Sequence, residues 1–551
     1  MLSIGNVRRL ALPADAAPVV QGTCAVLAAA ALLIARASAA SDAEPTSPGA
    51  ARPAPGTLEI TEYRLEGVTQ LGESEIEPVL APFLGPGRAL EDVERARAAL
   101  EKAYSDKGFQ TVTVAIPPQT VRDGVVVLRV TEGKVGRLRV RGAQWFSPMD
   151  VKRQAPSVAE GTVPNFNAVV RDLVALNQLP DRRVTPALRP GEVPGTIDVD
   201  LNVEDALPLH GALEANNRYS ASTTNLRLNG TLRYDNLWQA GHSLAFSFQT
   251  APRRPDDALV FSLSYLARVP EVSWLSFALN GVIQDSDVST LGTIGVRGKG
   301  RMFGARAVFT LPGSADFFHT VSAGVDYKHF EEGLTLGEDT LQTPVTYWPV
   351  TAQYAATWSG GGAQTQLAAT VVFNLRSLSS SSLEFDAKRY ASSGSFIYWR
   401  GELSRTQDLP RGFQVSGRLL GQYAADPVLS SEQLTAGGVD SVRGYLEVEA
   451  SGDWGGLASL ELRTPSLARW SGTALVKEWR LVAFFEGGRV ALRQPLPEQK
   501  GVFWLWGTGG GVRVRLLDHV SGYAMVGVPL TSIGTTARYR SKFHLSLVTD
   551  F

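Results

Sequence analysis

The sequence predicts a chain of two parts: two small α+β units in tandem, followed by a transmembrane antiparallel β-barrel of about 16 strands. Three observations carry this. Leu138-Arg139-Val140-Arg141-Gly142 echoes Tyr63-Arg64-Leu65-Glu66-Gly67, each at the head of a strand, helix, helix, strand, strand order, which marks an internal repeat. Beyond about Leu209, apolar and polar residues alternate with a period of two over roughly 340 residues, broken by polar turns. The last strand keeps Phe543, Leu545, Leu547 and Phe551 on one face and His544, Ser546 and Asp550 on the other. Such a strand suits lipid on one side and water on the other.

Bulk properties fit this reading. The 551 residues carry a formal net charge of −1, so nothing global points to a nucleic-acid partner. A mean hydropathy of −0.03 is too polar for a bundle of membrane helices and normal for a barrel with a wet lumen. Near the start, Arg8-Arg9 precedes an apolar run from Cys24 to Ile34 and then Ala37-Ser38-Ala39-Ala40. A basic region, a short apolar core and small residues predict a signal peptide over 1–40. Cys24, the only cysteine, lies inside that core rather than after it, which argues against a lipoprotein. The mature chain would then carry no thiol, which suits an oxidising periplasm. Residues 41–57, rich in Ala, Pro and Ser, read as a flexible tether.

The first α+β unit is predicted over 58–133. Leu58–Leu65 reads as a strand ending at Gly67, and Ser74-Glu75-Ile76-Glu77 has capping-box spacing for a short helix. A second helix runs from about Leu90 to Lys107. Glu91 and Asp92 open it, Lys107 and Gly108 close it, and Val93, Ala96, Leu100 and Tyr104 share a face. Strands follow at Val112, Val114 and Ile116, and at Val125–Val130. The second unit, 134–206, has a helix over Asn167–Gln178 with Val170, Leu173, Val174 and Asn177 on one side. Its later strands are Val184–Leu188 and Thr196–Val203.

The region 207–551 shows no convincing amphipathic helix. Leu226, Leu228, Leu232 and Tyr234 alternate with Arg227, Asn229, Thr231 and Arg233. Leu244, Phe246 and Phe248 alternate with Ser243, Ser247 and Gln249, and Leu259, Phe261, Leu263 and Tyr265 continue the pattern. A soluble sandwich has similar strands but rarely continues this far as one unit.

No catalytic constellation stands out. The six histidines are scattered without metal-ligand spacing. Gly360-Gly361-Gly362 and Gly509-Gly510-Gly511 lack the Lys-Ser/Thr of a phosphate loop and read as tight turns or close packing. No metal, cofactor or enzymatic role is therefore expected.

The most informative segment is Gly437-Gly438-Val439-Asp440-Ser441-Val442-Arg443-Gly444-Tyr445-Leu446-Glu447, followed by Gly452-Asp453-Trp454-Gly455-Gly456. Glycines around a lone Arg with apolar and aromatic neighbours can form a loop tip that projects a cation into a confined polar space. The segment resembles the sixth-loop signature of outer-membrane transporters built from periplasmic POTRA domains and a barrel. With Gln433 before it and Glu461-Leu462-Arg463-Thr464-Pro465 after it, it resembles the two-partner secretion branch, the haemolysin and haemagglutinin exporters. The resemblance runs from about Leu58 to Phe551. The repeat has the POTRA order, and Ile116-Pro117-Pro118-Gln119 with Glu132-Gly133 is similar to the first POTRA domain of that branch.

The resemblance implies an outer-membrane location in a Gram-negative bacterium, sixteen strands and periplasmic POTRA domains. It implies a large secreted partner of the TpsA type, exported by type V secretion and recognised unfolded by the POTRA domains. It also implies the barrel-assembly machinery as a biogenesis partner, outer-membrane lipid around the barrel, and Phe551 in the insertion signal. The alternative within the superfamily is an insertase for membrane proteins. In the family, the loop motif Val442-Arg443-Gly444-Tyr445 meets a strand with the pattern Phe, any residue, Asp, any residue, Gly. Here Phe484, Glu486 and Gly488 fill it, with Glu for Asp. A wide barrel leads us to expect a wet Arg443–Glu486 pair. An exposed sheet edge over Gln110–Ile116, with Val112, Val114 and Ile116, is the expected docking strand for substrate. Four prolines in 41–57 leave no room for a pore-plugging helix and its linker, so none is expected.

Overall fold

The computed structural model describes residues 58–551, apart from positions 222, 270, 271, 273, 287, 288, 292, 293, 297, 332, 337, 338 and 343. The expected signal peptide, tether and missing plug fall outside the described residues. Contacts divide the described chain into two units that meet in sequence at Pro208 and Leu209.

The N-terminal unit contains the repeat. Its first copy is β1 (Leu58–Ile60), β2 (Glu62–Glu66), α1 (Glu73–Leu80), β3 (Gly85–Arg88), α2 (Leu90–Asp106), β4 (Val112–Ala115) and β5 (Val125–Glu132). The second is β6 (Lys134–Arg141), α3 (Pro148–Arg153), α4 (Phe166–Leu176), β7 (Arg182–Pro190) and β8 (Thr196–Asp205). The sheets have matching orders, β2-β5-β4 and β6-β8-β7. In each the middle strand is parallel to the first and antiparallel to the last.

The same turn chemistry recurs in both copies. Gly67 and Gly142 have φ of 88° and 84°, and a Cβ there would lie 2.3 Å from the Val130 carbonyl oxygen and 2.4 Å from that of Val203. Only glycine fits. The loop after each glycine is held by a carboxylate ending the middle strand. Glu132 accepts from the Thr69 and Gln70 N–H at 2.8 and 3.0 Å and from the Tyr104 hydroxyl at 3.0 Å. Asp205 accepts from the N–H of Gln144, Trp145 and Phe146. Burial pushes the Glu132 carboxyl up, but these hydrogen bonds outweigh it and its pKa falls below the usual value.

Three local expectations need correction. The strand predicted over Leu58–Leu65 is two: β1 pairs with β3, and β2 pairs with β5. Helix α1 starts from Gly72 rather than Ser74, because Glu75 accepts the Gly72 N–H at 3.2 Å. Helix α4 buries Val169, Leu173 and Leu176, leaving Val170 and Val174 exposed. Two apolar stripes compete on that helix, and Leu176 decides between them. The predicted face of α2 is the buried one: Val93, Ala96, Leu100 and Tyr104 pack on Val112, Val114 and Leu128.

The C-terminal unit is a closed antiparallel barrel of sixteen strands among the described residues. They are β9 (Leu209–Asn216), β10 (Arg227–Leu237), β11 (His242–Thr250), β12 (Ala258–Arg268), β13 (Leu275–Ser286), β14 (Lys299–Thr310), β15 (Phe317–Glu331), β16 (Val345–Tyr347 and Pro349–Gly360), β17 (Ala363–Asn374), β18 (Ile397–Asp408), β19 (Gln414–Ala424), β20 (Trp454–Arg463), β21 (Val476–Ala491), β22 (Val502–Leu516), β23 (Val520–Pro529) and β24 (Lys542–Asp550). Closure is by β24 on β9. Outward positions such as Leu232, Phe246, Phe261, Leu263, Phe485 and Leu547 are exposed apolar side chains, as a lipid-facing band requires. Phe551 is exposed, exchanges backbone hydrogen bonds with Gly211, and lays its ring over that glycine.

Both triple-glycine runs serve packing or turns. Gly361 and Gly362, with φ of 58° and 69°, make the tight turn between β16 and β17. Gly509–Gly511 lie within β22. Among the described residues one short α-helix, α5 (Ser382–Lys388), interrupts the all-β region where none was expected. Its signal is the Ser381–Glu384 capping box, with too few residues behind it to show a helical period. No helix among the described residues is long and apolar enough to cross a membrane.

Candidate functional site

Residues 425–453, between β19 and β20, fold back inside the barrel. Leu434–Ala436 pairs antiparallel with Ala450–Gly452, so residues 437–449 form a stalked tip. At that tip Arg443 is buried to 3% exposure and Glu486, on β21, to 2%. One Glu486 oxygen accepts Nε and Nη2 of Arg443 at 3.0 and 2.5 Å, and the other accepts the Arg443 backbone N–H at 2.7 Å. One carboxylate thus holds both the side chain and the backbone of the loop.

A second carboxylate completes the site. Glu461, inward on β20, accepts Nη1 of Arg443 at 2.7 Å and is itself flanked by Arg463 and Arg513. The guanidinium stacks on the Phe484 ring with its carbon 3.6 Å from the centroid. The face of β21 that holds Val482, Phe484 and Glu486 is thus the lumen face. Burial overturns the expectation of a wet pair. The loop packed against its own wall excludes the water that an open lumen would admit.

Glycines let loop and wall approach. Gly444 has φ 100°, and its N–H donates to His544 Nε2 at 3.1 Å. On the wall, a Cβ at Gly527 would lie 2.4 Å from the Gly444 nitrogen, and one at Gly507 would lie 2.3 Å from the Arg443 oxygen. Gly488 meets the backbone of β20 as closely, with a Cβ placed 2.2 Å from the Gly456 oxygen. Val442 and Tyr445 are fully buried with Leu457, Val490, Leu505 and Ile533. The Tyr445 hydroxyl donates toward the carbonyls of Trp506 and Thr531 at 2.9 and 2.8 Å.

Sequence reasoning missed most of the loop's other anchors. Glu432, 2% exposed at the loop's root, accepts from Tyr347, Tyr398 and Lys328 at 2.7, 2.8 and 2.5 Å. Asp453 is fully buried and accepts the N–H of Val428 and Arg493 at 3.0 and 2.6 Å and the Gln433 amide at 3.1 Å. Glu449 ties the tip to Thr535 and Thr536, and Arg218 meets Asp440 and Glu447. For Glu461 a signal existed. Period-two alternation on β20 puts it inward beside Ser459, which itself bonds Glu486 at 2.8 Å.

The predicted docking strand β4 lies at the edge of the first sheet. Val112 and Val114 point into the core, so the edge offers backbone rather than those side chains, and Ile116 lies just past the strand. Arg97 already donates to the Val114 carbonyl at 3.2 Å. Further along, the Gln119 side chain bridges the N–H and C=O of Val127, both at 2.7 Å, closing that stretch of β5.

The barrel and the repeat that precedes it in sequence each match a known family profile. The profile for "Haemolysin secretion/activation protein ShlB/FhaC/HecB" matches residues 195–514, more than half of the chain, and that for "POTRA domain, ShlB-type" matches residues 58–133. The chain belongs to the ShlB/FhaC/HecB family. Among curated relatives, the outer membrane transporter CdiB of Dickeya dadantii is 23% identical over 83% of this chain and 80% of its own length. The heme/hemopexin transporter protein HuxB of Haemophilus influenzae is 20% identical over 71% of this chain and 69% of its own length. Among solved structures, CdiB from Escherichia coli aligns with a TM-score of 0.65 at 20% identity, over 98% of this chain and 99% of that one, and shares its fold. As a ShlB/FhaC/HecB member this chain is a two-partner secretion transporter, an export pore in the outer membrane with its POTRA region on the periplasmic side. Family membership implies an exoprotein partner.

Proposed function

We propose that the loop carrying Arg443 is the gate of this export pore, and that its release from Glu486 and Glu461 opens the lumen to one large, unfolded exoprotein. The buried grip of two carboxylates and an aromatic ring on one arginine carries this reading. A buried charge left without a partner is costly, so the loop leaves only when Arg443 and both acids gain water or other partners together, and the closed state holds without substrate. Replacement of those contacts by the incoming chain supplies the compensation.

Recognition begins at the POTRA domains, where an extended segment of the exoprotein adds to the open edge of β4. Net transport draws on folding of the exoprotein once outside, since it crosses extended and cannot return once folded. Phe551 closes the last strand in the form that the barrel-assembly machinery recognises. Deleting the gene should remove one large protein from the culture supernatant and leave other outer-membrane proteins at normal levels. Loss of other barrels instead would identify an insertase.

A further inference from the structure

The barrel's inner wall is divided by charge, and this division points to the path of the exported chain. From β11 to β17, inward positions that are not buried are mostly hydroxyls, amides and small residues, among them Ser247 and Ser264, then Ser276, Gln353 and Gln366. Leu266 and Met302 are partly exposed apolar side chains on the same face, and Val260, Val282, Val308 and Val372 face inward but are buried. Among the described residues the charges on this arc are few and occupied. Arg306 and Asp326 pair with each other at 2.7 and 2.8 Å, Lys328 pairs with Glu432, and Arg268 sits at the end of β12 bonded to the Gly241 carbonyl. The five strands β18–β22 are different. Glu402, Arg418, Glu461, Arg463, Arg480 and Arg513 all face inward there.

The loop tip rests on the charged side. Arg443 binds Glu461 and Glu486, Arg418 donates to the Asp440 carbonyl, and Gly444 donates to His544. Among the described residues it meets the neutral arc at its root: Glu432 bonds Lys328 and Tyr347, Ser431 bonds Tyr347, and Val428 and Leu429 share a cluster with Phe330, Tyr347 and Val372.

We propose that the neutral arc β11–β17 is the sliding surface for the extended exoprotein in transit. This deepens the export reading and rests on it. A moving unfolded chain presents every side-chain type in turn. A charged wall would trap opposite charges and repel like ones, and an apolar wall would hold apolar segments at about 25 cal/mol per Å² buried. Serine, threonine and glutamine exchange hydrogen bonds with any peptide group at a net of about 0.5–1.5 kcal/mol each, close to what water offers. That surface holds no particular sequence, so it suits one long passenger of varied composition. The charged arc serves the loop instead, as the site it leaves and regains.

The test places a photo-crosslinking phenylalanine analogue at Ser264 or Gln366 on the neutral arc and at Ser416 or Tyr523 on the opposite wall. The full-length protein is irradiated in secreting cells, and the adducts are identified by mass spectrometry. Adducts with the protein that accumulates in the supernatant should be at least about fivefold stronger at Ser264 and Gln366 than at the other two positions. Equal or stronger adducts at Ser416 and Tyr523 would overturn the sliding surface while leaving export through the lumen intact. Secretion without adducts at any of the four would contradict export through the lumen and the sliding surface with it. Ser264→Asp with Gln366→Glu should lower secretion severalfold while heat-modifiable migration stays normal. Undiminished secretion by that variant would also overturn the proposal.

Discussion

Arg443 and Glu486 are held by three hydrogen bonds that use both oxygens of one carboxylate, and one of them goes to the arginine's own backbone N–H. The contact therefore fixes the loop's main chain as well as its charge. Glu461 takes the remaining guanidinium nitrogen, so removing one acid leaves the arginine a second partner.

That geometry separates two conservative substitutions. Glu486→Asp shortens the reach by about 1.5 Å, but Glu461 still holds Nη1 and Phe484 still stacks. Secretion should stay within about twofold of the parent. Arg443→Lys replaces a planar fork by a point charge that cannot serve two carboxylates and a ring face together. Secretion should fall by about tenfold or more, measured as exoprotein in the supernatant per unit of barrel in the membrane.

The seat of the loop is as restrictive as its charges. Gly527→Ala puts a methyl group 2.4 Å from the Gly444 nitrogen. The loop tip must rise while β23 keeps its ladder. Planar-bilayer recordings should show longer or more frequent open states than the parent, with unchanged heat-modifiable migration. A parent-like closed channel would mean that the tip does not rest there.

Much of this was legible in the sequence, for reasons that differ by element. The face of α2 was readable because one apolar stripe dominates, whereas α4 carries two and only tertiary packing selects Leu176. Arg443 and Glu486 could be paired only through the family pattern, because alternation on β21 gives a face without polar marks. Glu432 left no local signal, because the groups that make it an anchor, Lys328, Tyr347 and Tyr398, come from strands far away in sequence. Asp453 stands in the quoted Gly452–Gly456 run, but its partners, Val428 and Gln433 of the same loop and Arg493 just past β21, could not be read from that run.

The repeat makes a pH-dependent prediction. The pKa of Glu132 is lowered in the folded state, so its contribution is present above the unfolded value of a glutamate and is lost as pH falls through the folded one. Acidification below about pH 4 should loosen the Thr69–Gln70 loop, read as faster amide hydrogen exchange there. Glu132→Gln should already show that faster exchange at neutral pH and change little on acidification.

The open edge of β4 gives another. Val114→Pro removes a backbone donor from the edge strand while keeping an apolar side chain toward the core. Secretion should drop severalfold with barrel insertion normal. Full secretion by a folded variant would place recognition on another surface.

The central claim, that the Arg443 grip holds a functional gate, is tested most directly by a double-mutant cycle on secretion. Arg443→Ala, Glu486→Ala and the combination are compared at equal barrel levels. Because the two side chains act on one loop, the double variant should lose no more than about twofold beyond the worse single. Losses that multiply, as for independent sites, would show that the pair does not act as a unit, and would contradict the gate.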